Sequence, residues 1–136
     1  MSRAAQRRKT VPIRVPDAAG RADGTADGRL TAARWKKVSG LLGLGLRART
    51  VVVGVEQVRA AVAKRRAVLA LVADDAAENS RAKVLPLLGA RRVPVVGGMT
   101  ASDLGAAVGR ETTTVVAVVD EALARGIRGA LAPTAA

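Results

Sequence analysis

The sequence predicts an α/β protein: a three-layer α/β/α sandwich with a four-stranded mixed sheet, preceded by a disordered basic N-terminal tail. Three observations carry this expectation. Valine-rich runs ("TVVV", "AVLALVA", "VPVVGG", "TTTVVAVVD") alternate with segments of helical periodicity, in the order α-β-α-β-α-β-α-β-α. Alternation at that spacing argues for one sheet covered on both faces by helices. The run at residues 67–73, "AVLALVA", is apolar throughout, which suits a central strand buried on both sides. Residues 1–30 carry too little apolar surface to offset the entropy of ordering them. A doubly wound nucleotide-binding fold would share the alternation, but no glycine-rich fingerprint follows the first strand.

The first helix starts near Thr31, an N-cap residue before "AARWKKVSGLLGLGLRA". Trp35, Val38, Leu41, Leu42 and Leu46 share one face of it. Gly40, Gly43 and Gly45 each lower its propensity by up to about 1 kcal/mol, and are read as allowing close packing against a sheet. "TVVV" is a strand ending at Gly54, and "VEQVRAAVAKRR" is a helix with Val55, Val58 and Val62 inward. The segment "DDAAENSRAKVLPLLGARR" reads as a helix from Ala77 to Leu85, broken at Pro86, with a short second piece to Ala90. "VPVVGG" is a strand. Thr100 and Asp103 form a near capping box before "ASDLGAAVG". "TTTVVAVVD" is the last strand and "EALARGIRG" the last helix. The domain therefore spans 31–129, and 130–136 are expected to fray.

The chain has 136 residues and a net charge of +12, from 23 Lys and Arg against 11 Asp and Glu. Residues 1–50 hold twelve of the cations against three Asp, so the excess is concentrated there. Such a balance favours an anionic partner, a nucleic acid or an acidic membrane surface. A solvated basic tail without function is the plainer explanation for part of it. With no Cys and no His, thiol chemistry, the common soft metal ligands and the usual neutral-pH general base are absent. Trp35 is the sole aromatic residue, so a base-stacking sheet surface is excluded. No run approaches the roughly 18–20 apolar residues that span a bilayer, and no secretory signal is evident, so a cytoplasmic protein without membrane attachment is expected.

The stretch "VVVGVEQVRAAVAKRR" places a glycine between a strand and a helix. The first N–H groups of that helix have no partner within it and carry partial positive charge, so they can bind phosphate or a base edge. Glu56 and Gln57 stand in the same turn, with Arg59 and Lys64 beyond. Gln57 can donate and accept; Glu56 can accept from an amine or a guanine N–H. A purely structural role is also open: Gly54 as a turn, Glu56 and the basic end as complements to the helix dipole. Asp74, Asp75 and Glu78 invite a metal or acid–base role, but at a strand end and helix start capping is the expected one, as for Asp120 and Glu121. No catalytic group, metal site or cofactor is expected.

The segment from "LLGLGLRA" through Gly54, "LVADDAAENSRAKV", "LPLLGARRVPVV", "SDLGAAVGRE" and "VVAVVDEALARGI" resembles the kink-turn RNA-binding ribosomal protein superfamily, the L-seven-Ae / L-thirty-e type, and most of all its small bacterial members of the YlxQ type. The resemblance covers about residues 38–128 and implies an α/β/α sandwich. It also implies that the glycine opening the second helix, here Gly54, is followed by residues that contact the paired G·A steps of a kink-turn. The family's Gly-Thr-Asn-Glu is replaced by Gly54, Val55, Glu56 and Gln57, and a lysine one turn on falls at Ala60. The loop before the last strand, which cups an extruded base in the family, maps to "GRETTT": Gly109, Arg110, Glu111, Thr112 and Thr113. Arg47 and Arg49 are added as RNA-binding residues. The expected partner is structured RNA, ribosomal or otherwise kink-turn-like, with the ribosome itself as a further partner and the protein as a monomer. A protein-interaction module on the same fold is the second reading, supported by Val55 and Ala60. An enzyme acting on a nucleotide-like substrate is the third, and stabilisation by ATP or GTP would revive it.

Overall fold

The computed structural model describes residues 25–26 and 29–131. The expected tail lies outside the described residues up to residue 24, as do residues 132–136. Within the stretch read as tail, β1 (Thr25–Ala26) pairs antiparallel with β2 (Arg29–Leu30), and the Leu30 N–H donates to Gly98 O at 3.0 Å.

The main body runs α1 (Ala32–Arg47), β3 (Val51–Val53), α2 (Val55–Ala63), β4 (Leu69–Val72), α3 (Glu78–Ala90), β5 (Val95–Val96), α4 (Ala101–Ala107), β6 (Val115–Val118) and α5 (Glu121–Leu131). The sheet order is β3-β6-β4-β5. β6 is antiparallel to both neighbours, and β4 is parallel to β5, so the sheet is mixed. Strands β3, β4 and β5 therefore run the same way and β6 runs against them.

Each strand divides its side chains between two cores, as a period of two requires. Val51, Leu69, Leu71, Val96, Val116 and Val118 face α1, α4 and α5, together with Val38, Leu42, Leu104 and Ile127. Ala70, Val72, Val95, Val115 and Ala117 face α2 and α3, where Val58, Val62, Val84 and Leu88 meet them. A one-residue slip would exchange leucines and alanines between unequal layers, so the packing fixes the register.

The helix starts follow their caps. Thr31 Oγ1 accepts from Arg34 N at 3.3 Å, and Thr100 with Asp103 closes a full capping box. Of the three α1 glycines only Gly45 makes a close approach: a Cβ there would collide with Leu123 and Val51. Gly40 faces open space.

Two expectations are corrected. Pro86 does not break its helix, and α3 is continuous from Glu78 to Ala90. The only backbone bond a proline there must forgo is the one to Ala82; both residues are exposed, so water can serve that carbonyl. The last helix continues to Leu131, whose side chain is 1% exposed, so Leu131 belongs to the core, with half-buried Ala130 packed against it, instead of to a frayed end. No helix among the described residues is long and apolar enough to cross a membrane.

Candidate functional site

Gly54 joins β3 to α2 with φ 97° and ψ 155°, a conformation open essentially to glycine alone. Its own N–H donates to Val115 O at 3.0 Å, and its carbonyl accepts from Val58 N at 2.9 Å. Among the described residues no side chain caps α2. The N–H groups of its first turn, at Val55, Glu56 and Gln57, thus lack backbone partners among the described residues, and the exposed Glu56 and Gln57 side chains flank them. Val55 is half-buried against the α2–α3 core.

Because β6 is antiparallel to β3, the loop entering β6 arrives beside Gly54: Val53 pairs with Val116, and Gly54 bonds Val115. The loop of residues 109–113 and the start of α2 consequently share one end of the sheet. The loop is held down by α4. Arg110 N donates to Gly105 O at 2.7 Å, and Thr113 N to Ala101 O at 3.0 Å. Gly109, with φ 76°, supplies the left-handed turn between them. Arg110, Glu111 and Thr112 are exposed. Thr113 was expected in the same base-cupping loop, but it is only 6% exposed, and its Oγ1 is buried without a partner among the described residues. The bond to Ala101 folds Thr113 under the loop, so it supports the loop from below.

The other expected contacts are spread more widely. One Arg59 guanidinium nitrogen donates to Lys83 O at 2.8 Å, tying α2 to α3, so Arg59 is in part a structural clamp. Arg47 and Arg49 precede β3, and Lys64 caps the C-terminal end of α2, so all three lie toward the opposite pole of the sheet. Lys64 still joins Glu56 and Gln57 along one face of α2. These residues, with Ala60, Ala61, Val52 and Arg66, line a groove of about 360 Å³ beside the edge strand β3. Ala60, where the resemblance led to the expectation of a lysine, is an exposed part of that groove.

Two groups that the sequence did not single out for the site shape it. Gly105 lies inside α4, where a Cβ would stand 2.6 Å from Thr112 Cα and 2.8 Å from Arg110 O and Thr112 N. The signal was present as a glycine in mid-helix, which costs about 1 kcal/mol relative to alanine and so calls for a packing reason. The acidic pair after β4 also acts here, on the chain that leads into α4. Asp74 Oδ1 accepts from Gly98 N at 3.0 Å, and Asp75 Oδ1 from Ala101 N at 2.7 Å, the first residue of α4. Asp120 caps α5 as expected, accepting from Leu123 N at 2.8 Å. Among the described residues no group of three or more acidic side chains is placed to hold a metal ion. Replacing Asp75 with Ala is expected to cost about 1 kcal/mol, since it strips a cap from the short helix that carries the loop; urea unfolding would show it as a lower midpoint at unchanged slope.

Comparison with known proteins gives a consistent set of relatives. The sequence model described as the ribosomal protein L7Ae/L30e/S12e/Gadd45 family matches residues 36–125. The RNA-binding protein YlxQ of Bacillus subtilis (strain 168) is 38% identical over 84 residues, which is 62% of this chain and 84% of that protein. A solved structure of a protein of unknown function from Bacillus halodurans C superposes with a TM-score of 0.64 at 32% identity, covering 73% of this chain and 97% of that one. The Giardia lamblia 15.5kD RNA binding protein superposes with a TM-score of 0.62 at 20% identity, covering 78% and 91%, and is alike in fold.

Proposed function

Since the chain belongs to the ribosomal protein L7Ae/L30e/S12e/Gadd45 family, we propose that it binds structured RNA of the kink-turn type through the start of α2 and the 109–113 loop. The observation that carries the reading is the meeting of these two segments at one end of the sheet, around a helix N-terminus with no side-chain cap. Unpartnered N–H groups suit phosphate or a base edge, and Gln57 with Glu56 adds a donor and acceptor pattern that a bare phosphate site would not need. The relative that reads "RNA-binding protein" in its name supports the same class of partner. The proposed role is binding without catalysis. Asp74, Asp75, Asp103 and Asp120, which could have formed acid–base pairs, are each committed to a backbone N–H. We place the protein in the cytoplasm, as a monomer acting on ribosomal or other folded RNA.

The test compares a kink-turn RNA with a matched straight duplex. The double variant Glu56→Ala, Gln57→Ala is expected to lose about tenfold or more on the kink-turn, the value of a base-edge contact worth about 1–3 kcal/mol. The duplex should be bound as before, because phosphate contacts carry little sequence information. Equal losses on both RNAs would defeat the reading. The second reading, a protein-interaction module, draws on Ala60, which leaves the groove beside α2 without the lysine of the family pattern, and on Val55, which leaves the first turn of α2 without its hydroxyl. Wild-type protein that binds both RNAs alike would favour it.

A further inference from the structure

The pole opposite Gly54 is where β3, β4 and β5 begin, and α1, α2 and α3 all end there. The three helices end in one way. The residue after each C-cap is left-handed: Arg49 at φ 63°, Arg65 at φ 58° and Arg92 at φ 57°. Its N–H and the next one close back onto the helix. Arg49 N reaches Leu46 O at 3.1 Å and Thr50 N reaches Gly45 O at 2.8 Å. Arg65 N and Arg66 N reach Val62 O and Ala61 O, both at 2.9 Å. Arg92 N and Val93 N reach Gly89 O at 3.0 Å and Leu88 O at 2.9 Å. This is the Schellman closure, whose left-handed position ordinarily goes to glycine because a Cβ is strained there. Helix α4 follows that habit, with Gly109 at φ 76°. The chain thus uses glycine at the pole of the proposed kink-turn site and arginine at all three closures of the other.

Complementing the helix dipoles does not explain the choice. Arg47, Lys64 and Arg91 already place a cation at each of the three helix ends without a positive φ. A second observation points to an anion. Between the ends of α2 and α3 lies a groove of about 430 Å³, lined by Val62, Arg65, Ala67, Arg91, Arg92 and Val93 among others. Arg91 is half-buried, and its Nη1 is sealed from solvent with no hydrogen-bond partner among the described residues. Nη1 itself, having no exposed surface, is out of reach of a ligand there, but Arg65, Arg91 and Arg92 all line the groove, and three cationic residues around one groove suit an oxyanion. The groove beside α2 that holds Glu56 and Gln57 extends to Lys64 and Arg66, so the two poles are joined along one helix.

We propose that this pole is a second nucleic-acid contact, taking phosphodiester groups of an RNA strand in the Arg65–Arg91–Arg92 groove. It rests on the RNA reading above for the identity of the polyanion, and adds a surface that reads charge and not sequence. RNA held at the Gly54 edge would continue along α2 into it.

The left-handed geometry provides a clean test, because glycine removes the charge and relieves the strain together. The full chain carrying Arg49→Gly, Arg65→Gly and Arg92→Gly is compared with wild type and with a charge-matched variant, Lys36→Ala, Lys37→Ala and Arg125→Ala. Binding is measured across a salt series to a plain RNA single strand, to a straight duplex and to a kink-turn RNA with a single-stranded extension. For the glycine variant the slope of log K against log salt on the single strand is expected to fall by about 1.4, from the two groove arginines it removes, Arg65 and Arg92, at about 0.7 each. Its melting temperature should hold or rise. Its preference for kink-turn over duplex should persist, since the Gly54 edge is untouched. An equal slope change in the charge-matched variant, or none in the glycine variant, overturns the proposal. Loss of kink-turn preference in the Glu56 and Gln57 variant is read separately and bears only on the other pole.

Discussion

Replacing Gly105 with alanine is expected to destabilise the protein by about 1–3 kcal/mol and to weaken RNA binding with it. Two effects oppose each other at this site. Alanine in a helix interior is favoured over glycine by about 1 kcal/mol. Against this, the new Cβ would stand 2.6 Å from Thr112 Cα and 2.8 Å from Arg110 O. Both atoms are backbone, so no rotamer change can clear them. The loop must lift off α4, and lifting it breaks the bonds from Arg110 N to Gly105 O and from Thr113 N to Ala101 O. The steric term therefore wins, and its effect falls on the segment proposed to cup a base. Urea unfolding should give a lower midpoint, and NMR shift changes should centre on residues 109–113. A midpoint at or above wild type would mean that the loop does not lie on α4.

The layers of the fold were legible because each strand is short, valine-rich and bounded by helical periodicity. Caps at Thr31, Thr100 and Asp120 could be read for the same reason: a side-chain oxygen three residues before a free N–H is a local arrangement. What could not be read depended on neighbours distant in sequence. The Pro86 break was expected from local chemistry, but exposure of Ala82 makes the lost bond tolerable. Asp74 and Asp75 were read only as caps for their own helix; the turn of chain after β5 brings Gly98 and Ala101 to them. The candidate site divides in the same manner. Gly54, Glu56 and Gln57 are contiguous, so their grouping needed no tertiary knowledge. Arg47, Arg49 and Lys64 were grouped with them by charge, and the strand directions carry them toward the far pole.

Gly54→Ala is expected to cost about 1–3 kcal/mol of stability and to abolish the preference for a kinked RNA over a straight one. Crowding is not the reason, since a Cβ at Gly54 would meet nothing within 4 Å. The cost lies in the backbone. At φ 97° and ψ 155° an L-residue is strained whatever the space around it. Relief would require φ to turn negative, and the chain is fixed on both sides of the change: Gly54 N on Val115 O, and Gly54 O under Val58 N. Either the strain is kept, and stability falls, or the first turn of α2 rotates away from β3. In the second case the free N–H groups of Val55, Glu56 and Gln57 no longer face the space beside the 109–113 loop. Gly40→Ala is the matched control. It is the same substitution, also with open space around the Cβ, but in an ordinary helical conformation. There alanine should stabilise by about 0.4–1 kcal/mol and leave RNA binding unchanged. Opposite signs for the two variants would locate the effect in the dihedral angles of Gly54, and equal signs would show that glycine at the end of β3 is a turn residue with no part in aiming the helix.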